Sequence, residues 1–157
     1  MDELGLTSLR AELLADCQVA EEAWRTAAAR LIEPTASGLE GCAHHLCRFY
    51  NVVEQLAQRV ARAFENHLEE DGGWHAELIR LMSIPIEGVR PALFPEDLRA
   101  PLRELRGFRH VVTHAYELVL DQDRLALLVR DAGRVAPKLA ACCEVFCAKA
   151  AREPFAG

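Results

Sequence analysis

LEGCAHHLCRFYNVVEQLAQRVARAFENH, residues 39 to 67, is the stretch on which the reading of the fold turns. Leu39, Cys42, Leu46, Phe49, Val53, Leu56, Val60, Ala63 and His67 follow one another at alternating steps of three and four. That is the period of one helix face, sustained too long for a strand. A heptad-like stripe of this length predicts a long helix packed antiparallel against another, as in a helical bundle.

The partner lies just upstream. Leu9, Leu13, Cys17, Ala20, Trp24, Ala27 and Leu31 repeat at three or four residues, which predicts a helix from about Leu6 to Ile32. Pro34 breaks it, and Thr35 or Ser37 is the next N-cap. Downstream, Asp71-Gly72-Gly73 closes the second helix and Trp74 to Met82 reads as a shorter one. Ile84 to Phe94, with Pro85, Gly88 and Pro91, reads as an irregular loop apolar enough to pack down.

A fourth helix is expected from Pro95-Glu96-Asp97, whose acids suit an N-terminus, with Pro101 breaking or restarting its first turn. A fifth runs from about Gln122 to Ala150 on Leu125, Leu128, Leu139, Cys143 and Phe146, with a kink expected at Pro137. No alternating strand pattern, internal repeat or low-complexity tract appears. The expectation is an all-α, up-down bundle of four to five helices, two long and antiparallel plus shorter ones, forming one domain over 1–157.

Composition narrows the partners. The chain is 51% hydrophobic and carries a formal charge of −6, so general coating of a polyanion is excluded and any phosphate must meet a local basic patch. Asp2, Glu3, Arg10 and Glu12 interrupt the apolar N-terminal residues, which argues against a signal peptide, and no apolar run would span a bilayer. A cytoplasmic location is expected. Cys17, Cys42, Cys47, Cys142, Cys143 and Cys147 fall mostly at apolar helix positions, where a reduced thiol behaves as a small hydrophobe.

Polar groups inside the helices sort unevenly. Tyr50 and Glu54 are i and i+4, and read as a buried hydroxyl satisfied by a carboxylate, with Asn51 facing solvent. His44 and His45 point about 100° apart and read as ordinary, partly exposed residues, while His67 and His75 flank the Glu69–Gly73 turn, where Trp74-His75 can serve as capping and packing groups. His110 and His114 have a workable metal spacing, but a stable site needs further ligands, and Glu117 lies where the helix should already have ended. No metal and no cofactor is expected.

Arg99, Arg103, Arg106 and Arg109 recur at four, three and three, with Glu104 the only acid among them. Such a strip is either a solvated helix face or a phosphate track. On an ideal helix Arg109 and Tyr116 share a face, while His114 stands about 140° from Arg109. Convergence of all three therefore requires the helix to end near His114, or a second chain to face it. Glu117 to Leu120 reads as extended, which suits such an ending.

Arg109-His110-Val111-Val112-Thr113-His114-Ala115-Tyr116 resembles the R-x-x-x-x-H-x-Y motif of HepT-type toxins in the HEPN superfamily. The residue after the arginine is typically Asn, Asp or His in that superfamily, and here it is His110. Two long antiparallel helices followed by the motif near the end of a later helix, and Trp74-His75 ahead of a Pro-rich loop, are also similar. The resemblance covers nearly the whole chain. It implies a metal-independent ribonuclease toxin, homodimeric, with the motifs meeting along the dimer axis. It also implies an MntA-type nucleotidyltransferase antitoxin that transfers AMP to Tyr116.

The chemistry is consistent with those implied roles. RNA cleavage without metal needs a base for the 2′-hydroxyl, an acid for the leaving 5′-oxygen and positive charge at the phosphorane. Arg109 and His114 are the expected catalytic pair: a planar donor fork and a proton carrier. One histidine cannot serve as base and acid together, whereas a two-fold dimer offers two. His110, Arg106 and Arg103 are supporting or RNA-phosphate-binding candidates. AMP on Tyr116 would bring bulk and negative charge towards Arg109. The competing expectation is a noncatalytic helical module that binds a nucleotidyltransferase or its substrate; the intact Arg109 and His114 favour the nuclease.

Overall fold

The computed structural model describes residues 1–33, 35–65 and 77–152. Five α-helices carry the fold: α1 Glu3–Leu31, α2 Ala36–Phe64, α3 Leu78–Met82, α4 Arg99–His114 and α5 Gln122–Ala150. A 3-10 turn, Glu96–Leu98, leads into α4. No strand forms among the described residues, only a single antiparallel bridge between Ile86 and Arg90. The chain is all-α, as the periodicity predicts.

Side-chain caps set where the long helices begin. Gly5 donates its N–H to Asp2 at 2.7 Å, Gly38 to Thr35 Oγ1 at 3.0 Å, and Arg124 to Asp121 at 2.9 Å. Each replaces a partner that the first helical turn lacks. α1 thus starts three residues before the Leu6 expected, and Thr35 rather than Ser37 is the cap of α2. Gly38 follows from the turn: a Cβ there would stand 2.2 Å from the carbonyl oxygen of Glu33.

Cross-links between helices fix their directions. Arg59, late in α2, donates to Asp16 and Glu12, early in α1, both at 2.7 Å. Arg10 pairs with Glu144, and Trp24 Nε1 donates to the Val129 carbonyl at 3.2 Å, so α1 also runs antiparallel to α5. Lys138 with Asp97 and Arg124 with Glu104 do the same for α4 and α5. α1 therefore sits between α2 and α5, and α4 packs on both α2 and α5. Their apolar faces close one core, with Leu13, Leu46, Phe49, Val53, Leu128 and Phe146 wholly or almost wholly buried. All six cysteines are free, Cys17 and Cys143 lying within it with their sulfurs 3.7 Å apart.

Two prolines lie inside helices without ending them. Pro101 neither breaks nor restarts α4, because it falls in the first turn, where no backbone donor is needed. Pro137 is carried inside a continuous α5. The glycine turn and the residues from Asn66 to Ala76, including His67 and the start of the expected third helix, lie outside the described residues.

The loop from Ile84 to Phe94 packs down around a buried cation. Arg90 donates to Ile84 O at 2.9 Å, Leu81 O at 3.1 Å and Glu65 at 2.5 Å, while Leu93 N and Phe94 N reach Met82 O. A fully buried guanidinium is tolerable only with this saturation of its donors. The loop thereby caps the open end of α3 and delivers the chain to the start of α4. Among the described residues, no helix is long and apolar enough to cross a membrane.

Candidate functional site

Arg109 stands in the last turns of α4, on the side that packs against α2. Its Nη1 donates to Glu54 Oε2 at 2.5 Å and to Asn51 Oδ1 at 2.8 Å, and its Nη2 donates to Glu54 Oε1 at 3.3 Å. Its Cζ sits 4.6 Å from the centroid of the Tyr50 ring. The guanidinium is thus clamped end-on by a carboxylate and backed by an aromatic face. Burial opposes its charge, but the hydrogen bonds and negative charge of Glu54 prevail and hold its pKa above the ordinary arginine value.

This corrects the reading of the α2 residues. Glu54 satisfies Arg109, not Tyr50, and Asn51, though exposed, is the third arm of the clamp. The Tyr50 hydroxyl is buried without a partner among the described residues. Burial first, then the charge of Glu54, pushes its pKa up to about 12, against the pull of Arg109 and Arg106. A signal was present in the sequence: a carboxylate beside Val53 on a face otherwise apolar needs a cation. Helical periodicity alone does not name which of the arginines supplies it.

The clamp also leaves something open. Glu54 and Asn51 use the Nη1 and Nη2 tips, so Nε–H and the second Nη2 hydrogen, on the adjacent edge, have no acceptor among the described residues. That edge is a two-pronged donor suited to phosphoryl oxygens, held in plane by the other.

His114 is the last residue of α4, and Ala115 has already turned to extended backbone at φ −77°, ψ 127°. The helix therefore ends where the motif requires. His114 Nδ1 lies 2.8 Å from the carbonyl oxygen of His110 and 3.0 Å from Thr113 Oγ1. A carbonyl only accepts, so Nδ1 carries the hydrogen and Nε2 keeps the lone pair. His110 stacks on it, ring centroids 4.2 Å apart and planes 29° apart. His110 thus orients His114 by its carbonyl and its ring, and both imidazoles are exposed.

The other predicted residues are dispersed. No hydrogen bond joins Arg109 to His114 among the described residues. Tyr116 is fully exposed in the bend that follows α4 and forms no ring contact with Arg109. The arginine strip is divided: Arg99 is held by Glu96 and Arg109 by Glu54, while Arg103 and Arg106 face no carboxylate partner among the described residues. Val111, Leu118 and Val119 are exposed apolar residues around a shallow cavity of about 180 Å³ between the end of α4 and the start of α5.

Comparison with curated proteins and with solved structures yields no match. A family model does match, described as HepT-like protein and covering residues 41–150, a span that contains Tyr50, Asn51, Glu54 and the whole motif on α4. HepT proteins are associated with toxin–antitoxin pairs, and the HepT-like family comprises HEPN-type toxins or related modules. With a helical bundle that places Arg109 and His114 at the end of α4, this chain belongs to the HepT-like family.

Proposed function

We propose that the protein is a metal-independent ribonuclease toxin that cuts RNA at a site shared by two copies of the chain. The observation that carries this reading is the pairing of two prepared groups at one helix end. Arg109 is locked with a donor edge that has no acceptor among the described residues, and His114 is fixed in the tautomer whose Nε2 accepts a proton. Both arrangements match what phosphodiester cleavage requires.

In the proposed step, Nε2 of one His114 removes the proton of the ribose 2′-hydroxyl. The 2′-oxygen attacks the adjacent phosphorus, giving a 2′,3′-cyclic phosphate. The P–O5′ bond breaks, and the leaving oxygen takes the Nε2 proton of the other copy's His114, which enters the step as the imidazolium and leaves it neutral. Arg109 stabilises the charge on the phosphorane through Nε and Nη2. The exposed apolar residues Val111, Leu118 and Val119 beside the motif suit the surface through which the copies would join.

Silencing follows from exposure. The Tyr116 hydroxyl, fully accessible, would attack the α-phosphorus of ATP on an MntA-type nucleotidyltransferase antitoxin, releasing pyrophosphate and leaving AMP on the tyrosine. The adduct would lie at the rim of the shared cleft and exclude RNA. A second reading, a noncatalytic partner of such a nucleotidyltransferase, draws on the fact that Glu54 already neutralises Arg109.

Induction of the wild type beside Arg109→Ala and His114→Ala separates the two. Growth arrest with RNA cut by the wild type alone, each variant shown folded by circular dichroism, is the expected result. A wild type free of AMP that leaves RNA intact would reject the nuclease. Intact mass after coexpression with the nucleotidyltransferase tests Tyr116: an unmodified tyrosine in a neutralised complex would reject its role.

A further inference from the structure

α3 and the first half of α4 enclose a groove of about 420 Å³ whose wall is strongly cationic. Arg80 comes from α3, and Arg99, Arg103 and Arg106 from α4. Among the described residues of the wall, only Glu77 and Glu96 stand against these four, each spent on the arginine three residues away from it. Arg103 and Arg106 face no carboxylate among the described residues, on a chain whose formal charge is −6. Positive charge gathered against the overall sign needs an anion to account for it.

The groove also has a direction. Arg106 lines it and is close enough to Tyr50 to pull on the phenol, and Tyr50 is the face on which Arg109 rests. Arg106 thus links the groove to the residues that hold Arg109. Arg99 to Arg109 is ten residues of helix, about 15 Å of rise, which spans roughly four stacked nucleotides at about 3.4 Å each. Leu102 and Ile79, both buried, close the wall on its core side. Among the described residues it holds neither an aromatic ring for stacking nor an amide side chain for reading a base edge.

We propose that this groove is an RNA-backbone subsite that holds the phosphates on one side of the scissile bond, with Arg103 and Arg106 as its principal donors and Arg80 as its outer edge. The proposal rests on the ribonuclease reading for what the strand is fed into, but its own content is binding. It commits the enzyme to single-stranded RNA several nucleotides long, gripped by charge and with little preference for base. Salt should weaken that grip steeply, because each phosphate contact releases counterions.

The test is fluorescence anisotropy with a labelled, uncleavable 2′-O-methyl oligoribonucleotide of about twelve nucleotides and one of three, across a salt series. The proteins are the wild type, Arg103→Ala, and the pair Arg80→Gln with Arg103→Ala. Arg80 and Arg103 are both surface side chains, and circular dichroism checks each fold. The wild type should prefer the longer probe. The double variant should bind it about 5- to 20-fold more weakly, with a salt slope shallower by about one to two and most of the length preference gone.

Equal affinity and equal slope in all three proteins would overturn the subsite, as would a wild type that binds neither probe. Cleavage is scored separately on natural RNA. A wild type that binds through the groove and never cuts refutes the nuclease and leaves the subsite standing. One that cuts RNA while the groove variants bind as it does refutes the subsite alone.

Discussion

At the scale of single residues, Tyr50 carries two roles that substitution can separate. Its ring is the platform under Arg109, and its hydroxyl is a buried group without a partner. An unpartnered buried hydroxyl costs roughly 1–3 kcal/mol, so Tyr50→Phe should leave stability unchanged or raise it by about 1 kcal/mol. The pH dependence sharpens the prediction. The folded protein holds the Tyr50 proton to about 12, whereas a free tyrosine releases it near 10. Between those values the unfolded chain binds fewer protons, so stability falls as pH rises through that window and is unaffected below it. Urea melts at pH 9 and pH 11 should show the wild type losing about 1–2 kcal/mol more than Tyr50→Phe. A phenylalanine variant markedly weaker at pH 9 would mean that the hydroxyl has a partner after all.

At the scale of elements, two glycines test whether the helix boundaries are understood. Gly38 sits in the first turn of α2 where a Cβ would strike the Glu33 carbonyl at 2.2 Å, while Gly107, mid-helix in α4, has nothing within 4 Å of where its Cβ would stand. Gly38→Ala should lower stability by about 1–3 kcal/mol through forced backbone movement. Gly107→Ala should raise it by about 0.5–1 kcal/mol, because the unfolded chain loses freedom and the helix gains a better former. Thermal melts of the two variants should move in opposite directions. A shared sign would count against the tight α1–α2 turn.

The same elements show what the sequence could carry. All five helices among the described residues were legible: α1, α2, α4 and α5 each bury a face, and burial imposes a period that survives in the order of residues, while α3 ends at Met82 as expected. The end of α4 at His114 was legible too, from the extended, apolar run after it. The Arg109 clamp was not, since Glu54 and Asn51 lie 55 and 58 residues away and only packing brings them to it. Arg90 was invisible for the same reason: four of its bonds go to carbonyls and a carboxylate that no local pattern marks. Helical spacing put Tyr116 and Arg109 on one face, a relation the helix end abolishes within a single chain.

At the scale of the whole molecule, one chain holds one His114, and three of its exposed apolar residues, Val111, Leu118 and Val119, lie near it. Val119 is 93% exposed and Val111 49%, an arrangement that a lone soluble chain gains nothing from. If that cluster is the two-fold surface, the wild type should run at twice the 17.5 kDa chain mass in light scattering. Val119→Asp would then place two carboxylates near the axis, on protomers that already bear −6 each, and should shift the equilibrium to monomer at micromolar concentration. Because base and acid come from different copies in the proposed step, RNA cleavage should fall with the dimer fraction, while circular dichroism stays that of the folded helix bundle. A Val119→Asp protein that remains dimeric would move the interface elsewhere. One that is monomeric and still cuts RNA at full rate would require both proton transfers from one chain, and His110, already stacked on His114, would be the group to examine as the second carrier.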